Sequence, residues 1–135
     1  MAEWLDSDPR VSYVLWAGLP SHPHHERAQK YLPLGPGSVF AFGLQVPENS
    51  GVLLDGREAG RLFIESLQLA SHLANVGDAR TLVIHPASTT HLQLGEAQLA
   101  AVGLRDDMIR LSVGLEHAGD IVADLDRALR AGQKP

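Results

Sequence analysis

Residues 108–115 read Met-Ile-Arg-Leu-Ser-Val-Gly-Leu, and this stretch decides the fold that the sequence predicts. From Ile109 to Leu115 every second side chain is apolar, which is the period of a strand with one buried face. Arg110 lies on the opposite side of the same strand. We therefore expect a strand that turns its apolar side to a core and presents a cation on its other side.

Strands and helices alternate along the rest of the chain. Strand-like composition is found in residues 11–16, 38–46 and 81–85, while residues 67–76 have no clear period. Helical patterns are found at residues 24–32, 96–102 and 120–130. A further helix is expected to begin at Asp55, which forms a capping-box pattern with Glu58, and to end near Ser66. The stretch 47–56 before it is predicted to be an exposed loop.

This order of elements predicts the fold class. We expect an α+β domain in two layers, in which a small, mostly antiparallel sheet carries helices on one face. The strand at 11–16 is expected to be covered on both faces. In the helix at 24–32, the side formed by Ala28, Tyr31 and Leu32 is expected to pack against the rest of the domain.

Composition restricts the class of protein. The chain has 135 residues, 44% of them hydrophobic and 20% charged, which is ordinary for one globular domain covering residues 1–135. It has no cysteine, which excludes disulfides, thiolate metal sites and a cysteine nucleophile. A formal charge of −5 without a basic run argues against nucleic-acid binding, and no apolar run approaches the roughly 20 residues of a membrane span. We expect a soluble, cytoplasmic domain that has neither nucleic-acid nor membrane partners.

Arg110 is the most informative candidate for a binding residue. The small residues Ser112 and Gly114 follow it on the same side of the strand, so a planar anion has room beside it. A guanidinium group binds a carboxylate through two parallel hydrogen bonds. The alternative is a surface arginine in a cross-strand ion pair, and the residues alone favour that alternative.

The turn at residues 75–78, Asn-Val-Gly-Asp, is a second candidate. Its backbone amides and its side-chain amide are able to hold an anion together. The alternative, favoured on the residues alone, is an ordinary turn that uses Asn and Gly for its geometry.

The histidines and lysines predict no catalytic machinery. His22, His24 and His25 lack a carboxylate at ligand spacing, so we expect no metal site. His85 and Ser88 are close in sequence, but without an oxyanion motif they fit a capped polar loop better than a nucleophile and its base. The chain has two lysines, Lys30 and Lys134, and neither lies in the apolar pocket that a Schiff-base lysine needs.

Five sequence blocks occur in an order that is typical of one enzyme family. They are Gly-Leu-Pro-Ser-His-Pro at 18–23, Glu-Ala-Gly-Arg at 58–61, Ser-His-Leu-Ala-Asn-Val-Gly-Asp at 71–78, Leu-Val-Ile-His-Pro-Ala-Ser-Thr-Thr-His at 82–91 and Ile-Arg-Leu-Ser-Val-Gly-Leu-Glu at 109–116. Over nearly the whole chain, these blocks resemble the C-terminal portion of the Cys/Met-metabolism enzymes that use pyridoxal phosphate (PLP). Within that family they are most similar to O-acetylhomoserine sulfhydrylases.

The resemblance implies roles for particular residues. Arg110 occupies the position of the arginine that binds the α-carboxylate of a small amino-acid substrate in the family. Asn75 occupies a position that lines the same carboxylate site. Val76, Gly77 and Thr90 are further candidates for the pocket lining. The loop from 85 to 91 would lie near the substrate entrance without a catalytic step. The implied fold, a small antiparallel sheet flanked by helices, agrees with the pattern of elements.

The chain also departs from the family pattern. The family's large domain supplies the Schiff-base lysine, the phosphate-binding loop and an aspartate at the pyridine nitrogen, and we find none of them here. PLP is therefore implied for the family, with no PLP-binding lysine in this chain. We expect either a separate chain that carries the PLP domain or self-association as the partner. Three readings stay open: part of a transferase that is inactive alone, a non-catalytic binding or interaction module, and a piece of a longer enzyme.

Overall fold

The computed structural model describes residues 1–46, 55–90, 93, 98 and 101–133. The predicted loop at 47–56 and the predicted helix at 96–102 fall largely outside these residues. The C-terminal stop expected after that helix is described: Gly103 has a φ of 73°, the left-handed conformation that glycine adopts without strain.

The described elements alternate as the sequence predicts. The strands are β1 (Val11–Leu15), β2 (Val39–Leu44), β3 (Ser71–His72), β4 (Leu82–Ile84) and β5 (Met108–Ser112). The helices are α1 (Ala2–Asp6), α2 (His25–Tyr31), α3 (Gly56–Glu65) and α4 (Ala118–Ala131), and a 3-10 turn covers Pro86–Ser88. None of the helices in these stretches of chain has the length and apolar character that crossing a bilayer requires.

The five strands form one sheet in the order β1-β2-β5-β4-β3. The pairs β1/β2, β2/β5 and β4/β5 are antiparallel, and only the short pair β3/β4 is parallel. The α+β class with a mostly antiparallel sheet is therefore confirmed. Strand β5, which carries Arg110, is the central strand, so its side chains are held by neighbours on both sides.

The core lies between one face of the sheet and helices α3 and α4. Phe42 of β2 meets Phe63 of α3 edge to face, with ring centroids 5.8 Å apart. Asp55 caps α3 as expected, because its carboxylate accepts the amide of Glu58 over 2.7 Å. Further fully buried side chains on this side are Ile109, Leu111, Ile121, Leu125 and Leu129. Arg110, between Ile109 and Leu111, must lie on the opposite face.

Three expectations about burial are wrong. Strand β1 is an edge strand, and of its residues only Val14 is buried, so it is not covered on both faces. Tyr31 and Leu32 of the α2 region are 69% and 47% exposed, because that short helix contacts the domain through Ala28. Strand β5 ends at Ser112, three residues earlier than predicted, and Leu115 beyond it is 85% exposed.

Candidate functional site

Arg110 lies on the sheet face opposite the helices, between small or apolar neighbours. In the ladder it pairs with Ala41 of β2 and with Ile84 of β4, which share its face. Its side chain is half-buried, and Nη2 donates to the backbone carbonyl of Asn75 over 3.1 Å. Two candidates that are 35 residues apart in sequence are thus brought into contact.

Arg110 lacks the cross-strand ion pair that is the alternative explanation for such a residue. In the described ranges, ion pairs are formed by Arg10, Arg61, Arg105, Arg127 and Arg130, but none by Arg110. A guanidinium has five N–H groups, and the bond to the Asn75 carbonyl uses one of them. The remaining donors and the uncompensated charge are therefore available to an anion.

The turn beside Arg110 uses part of its hydrogen-bonding capacity internally. The side-chain oxygen of Asn75 accepts the amide of Val76 over 2.9 Å, and the amide of Gly77 approaches Ser112 Oγ at 3.4 Å. Gly77 has a φ of 73°, so the turn needs a glycine there. The side-chain NH2 of Asn75 has no partner among residues that the structure describes. This group is the donor that the turn still offers next to the guanidinium.

The three further candidates for the pocket lining differ in placement. Val76 and Gly77 are exposed and belong to the turn beside Arg110. Thr90 is exposed as well, just beyond the 3-10 turn that follows β4. Because Ile84 pairs with Arg110, the segment carrying Thr90 begins on the strand next to the guanidinium.

The end of the turn is fastened to the chain that follows β5. Thr81, fully buried, donates its amide to Glu116 Oε1 and its hydroxyl to Oε2, both over 2.7 Å. Partial burial opposes ionisation of Glu116, but the two hydrogen bonds from Thr81 outweigh it and lower the pKa of Glu116. The carboxylate is therefore ionised at neutral pH and accepts two charge-assisted hydrogen bonds.

The buried His85 and the half-buried Ser88 form a hydrogen-bonded pair across the 3-10 turn. His85 Nε2 lies 2.6 Å from the carbonyl oxygen of Asp106, and Nδ1 lies 2.8 Å from Ser88 Oγ. A carbonyl only accepts, so Nε2 carries the proton and Nδ1 accepts the Ser88 hydroxyl. Thr89 adds a hydroxyl bond of 2.8 Å to the His85 carbonyl. This arrangement is that of a capped polar loop, with the imidazole fully buried.

The N-terminal histidines are engaged with their own segment. The Nδ1 atom of His25 lies 3.1 Å from the carbonyl oxygen of Ala17, and its Nε2 lies 2.8 Å from the side-chain nitrogen of Gln29. The rings of His22 and His24 pack edge to face with centroids 5.8 Å apart. In the part of the chain that the structure covers, no group of three or more metal-ligating side chains comes together.

Lys30 is exposed at the surface of α2. Its ammonium lies 5.2 Å from the centroid of the Tyr31 ring, which is itself 69% exposed. A lysine in this setting stays hydrated and lacks the apolar surroundings that a Schiff-base nucleophile needs. Lys134 lies outside the described residues.

Glu116, Thr81 and Asp124 are residues whose importance the sequence does not predict. Glu116 is the last residue of a family-like block, but nothing in that block indicates that it holds Thr81, 35 positions earlier. Asp124 lies on α4 in the same buried stripe as Ile121, Leu125 and Ala128, and its side chain is only 2% exposed. A polar residue inside an otherwise apolar helix stripe is the one available signal for Asp124.

Known proteins are similar to this chain over nearly all of its residues. The family model of the Cys/Met metabolism PLP-dependent enzymes matches residues 1–130. O-acetyl-L-homoserine sulfhydrylase 1 of Thermus thermophilus is 53% identical over 129 residues, which are 96% of this chain and 28% of that protein. Homocysteine/cysteine synthase of Saccharomyces cerevisiae is 47% identical over an alignment that covers 100% of this chain and 31% of that protein.

Solved structures share the fold. A Campylobacter jejuni protein described as an O-acetylhomoserine (thiol)-lyase, which holds N′-pyridoxyl-lysine-5′-monophosphate, superposes with a TM-score of 0.81 at 35% identity, covering 96% of this chain and 28% of that one. A cystathionine gamma synthase from Xanthomonas oryzae, solved with cystathionine, gives a TM-score of 0.78 at 32% identity, covering 97% and 31%.

The chain thus spans less than a third of the length of the curated relatives that it matches. Within that span the family match covers nearly every residue, and the elements and their order agree with those of fold-type I PLP enzymes. The chain belongs to the Cys/Met metabolism PLP-dependent enzyme family.

Proposed function

We propose that this chain supplies the substrate α-carboxylate site of an O-acetylhomoserine sulfhydrylase-like enzyme. The reaction is a γ-replacement in sulfur amino-acid synthesis, in which sulfide takes the place of the acetate group of O-acetylhomoserine. Arg110 holds the carboxylate of the amino acid, and Asn75 donates to it from the adjoining turn. Neither residue transfers a proton; both act by fixing the position of the substrate.

The observation that carries this proposal is the unpaired guanidinium of Arg110. It is half-buried, it is held at one N–H by the Asn75 carbonyl, and it forms no ion pair with the described part of the chain. Partial burial strengthens its attraction for an anion relative to a fully solvated arginine. The relatives from Thermus thermophilus and Saccharomyces cerevisiae are named for reactions of homoserine derivatives and cysteine, which fits an α-amino acid as the anion.

The cofactor belongs elsewhere in the proposed enzyme. PLP supplies an electron sink and is held through a lysine. Among the described residues the one lysine is Lys30, and its exposed position beside Tyr31 does not fit that role. We therefore propose that a separate chain or a further part of a longer polypeptide carries the PLP-binding domain, and that this chain is inactive alone.

Replacing Arg110 by alanine in the assembled enzyme tests the carboxylate site. We expect KM for O-acetyl-L-homoserine to rise about 10- to 100-fold, because charge-assisted hydrogen bonds to the carboxylate are lost. Arg110→Lys keeps the charge but not the two-pronged geometry, so it should restore only part of the affinity. Steady-state kinetics on the enzyme with its PLP-bearing partner measures both effects.

The controls separate the carboxylate from a general loss of charge. Arg61→Ala removes an exposed arginine paired with Glu58 and Glu65 on α3, and it should leave KM unchanged. The methyl ester of the substrate lacks the free carboxylate, so it should react equally poorly with the wild-type enzyme and with Arg110→Ala. An unchanged KM for Arg110→Ala would contradict the proposed site.

A patch of exposed apolar side chains adjoins the site and suits the docking of the PLP-bearing part. Leu73, Val76 and Leu115 are 49%, 54% and 85% exposed. Leu73 and Val76 belong to the segment between β3 and β4, and the amide of Leu115 donates to the carbonyl of Ala79 in that segment. Leu5 does not contribute to such a surface, since α1 packs on β1 and Leu5 is fully buried. The patch next to Arg110 is therefore our proposed contact surface.

Replacing Leu115 by aspartate tests this surface. We expect at least a tenfold weaker association with the PLP-bearing partner, because a charge would be placed in an apolar contact. Tyr31→Asp is the matched control, since Tyr31 is exposed near β1, at the opposite edge of the sheet. Co-purification followed by mass spectrometry is the measurement. Self-association without a PLP-bearing chain would favour the second candidate function, a non-catalytic interaction module that uses the same apolar patch.

A further inference from the structure

The segment 73–80, which leads from β3 to β4, carries the half of the proposed site that faces Arg110. All of its residues are exposed except Asp78, which is half-buried. Its internal side-chain bonds, from Val76 to Asn75 and from Arg80 to Asp78, give the turn its shape. They do not determine where that turn lies relative to β5. Its position must come from contacts with the rest of the domain.

Beyond the bonds that join Asn75 and Gly77 to β5 itself, one set of those contacts is made by the residues that follow β5. Glu116 accepts both the amide and the hydroxyl of Thr81 over 2.7 Å, and Thr81 Oγ1 in turn accepts the amide of Gly114 over 3.0 Å. The amide of Leu115 donates to the carbonyl of Ala79 over 2.8 Å. Four hydrogen bonds thus fasten Ala79, at the end of segment 73–80, and Thr81, directly after it, to residues 114–116. Glu116 makes two of them and carries the only charge in the set.

The two backbones approach so closely that a side chain would not fit between them. A Cβ atom at Gly114 would lie 2.4 Å from the carbonyl carbon of Arg80 and 2.5 Å from the carbonyl oxygen of Ala79. Contacts this short force the backbone to shift, so residue 114 must be glycine for the fastening to form. The same Cβ would lie 2.5 Å from Glu116 Oε2, which places the carboxylate at the centre of the junction.

One side of the junction between Ala79–Thr81 and residues 114–116 lies on the same stretch of chain as Arg110. Arg110 and Ser112 are in β5, Gly114 and Glu116 follow directly, and segment 73–80 returns to Arg110 through the Asn75 carbonyl. This inference rests on the proposed carboxylate site: we propose that Glu116 is a positioning residue. By holding Thr81 it places the Asn75 turn, and that turn orients the guanidinium of Arg110 towards the substrate. Glu116 itself does not contact the substrate.

Two measurements on Glu116→Ala test this role, one on the chain alone and one on the assembled enzyme. In the chain alone, we expect amide hydrogen exchange of Thr81 and Gly77 to become about tenfold faster, with a shifted NMR resonance of the Arg110 side chain. In the enzyme, we expect KM for O-acetyl-L-homoserine to rise about tenfold while kcat changes less than about twofold.

Two variants serve as comparison and control. Glu116→Gln keeps one acceptor for the Thr81 amide, so it should lie between wild type and alanine in both measurements. Glu65→Ala removes an exposed glutamate whose partner is Arg61 on α3, and it should change neither. If Glu116→Ala does not fold, Thr81→Val removes the hydroxyl bridge alone and is expected to act in the same direction with a smaller effect.

The outcomes separate this inference from the proposed function. Unchanged exchange and an unchanged Arg110 resonance in Glu116→Ala would overturn the positioning role, whatever the kinetics. Faster exchange with an unchanged KM, in an enzyme whose KM responds to Arg110→Ala, would also overturn it. If Arg110→Ala leaves KM unchanged, the carboxylate site itself fails, while the exchange data still decide whether Glu116 places the turn.

Discussion

Replacing Asp124 by alanine is expected to lower the free energy of unfolding by about 3–5 kcal/mol. The carboxylate of Asp124 is only 2% exposed and accepts three consecutive backbone amides, of Gln68, Leu69 and Ala70, at 2.8, 3.0 and 2.8 Å. Arg127, one turn along α4, forms an ion pair with the same group. Removing the carboxylate leaves three donors without an acceptor and breaks the link between α4 and the entry to β3.

Urea denaturation at pH 7 measures this loss, and a neighbouring aspartate provides the control. Asp126 lies on the same helix and pairs with Arg10 and Arg130 near the surface, so Asp126→Ala should cost less than about 1 kcal/mol. Asp124→Asn keeps one acceptor oxygen and should fall between the two. A loss below about 1 kcal/mol for Asp124→Ala would show that solvent satisfies the three amides.

Asp124 also predicts how stability responds to acid. Burial opposes ionisation, but the three amides and Arg127 outweigh it, so the pKa of Asp124 is lower than its usual value of 3.8. The unfolded chain therefore takes up the proton at higher pH than the folded chain does. Its contribution is fully present above pH 4 and is lost as the pH falls through the folded pKa.

His85 is expected to produce a second loss of stability on acidification, which begins at a higher pH than the loss caused by Asp124. Burial of the imidazole lowers its pKa from the ordinary 6.5, although the Asp106 carbonyl favours the charged form. Below about pH 6.5 the unfolded chain binds a proton that the folded chain does not. As the pH is lowered from about 6.5 to the pKa of His85 in the folded chain, the free energy of unfolding should therefore decrease. The slope should be at most about 1.4 kcal/mol per pH unit.

Denaturation curves between pH 7.5 and 5 compare the wild type with two glutamine variants. His85→Gln removes the titrating group and should abolish the slope, at a cost of about 2–4 kcal/mol from lost packing and hydrogen bonding. His72→Gln changes an exposed histidine and should keep the slope. The prediction is contradicted if the slope persists in His85→Gln.

The sequence predicts the elements well because their signals are local. The alternation in residues 108–112 and the Asp55 cap with its Glu58 partner each depend on a few neighbouring residues, and the structure contains both. The family resemblance, rather than periodicity, predicts that Arg110 and Asn75 belong to one site, and their direct contact is a finding of the structure. The role of Arg110 as a carboxylate ligand stays a prediction until its variants are measured.

The features that the sequence did not predict depend on tertiary contacts. Position in the sheet, not composition, decides that β1 is an edge strand with a single buried residue. Likewise, Glu116 and Thr81 are 35 residues apart, and Asp124 is 54 to 56 residues from the amides that it holds. Neither carboxylate has a sequence pattern of its own, because its partners are brought close only when the chain folds.

The strand order has a consequence for how the chain folds during synthesis. Strand β5 is central in the sheet but is synthesised after the other four strands. More than 60 residues separate β2 from β5, its second neighbour in the sheet. Until residues 108–112 emerge from the ribosome, β1 and β2 form one unit while β3 and β4 form another, each with an open edge. Closing such long loops makes this pairing slow. A nascent chain therefore exposes open strand edges from the synthesis of β2 until that of β5, and this is the interval in which we expect a chaperone to bind.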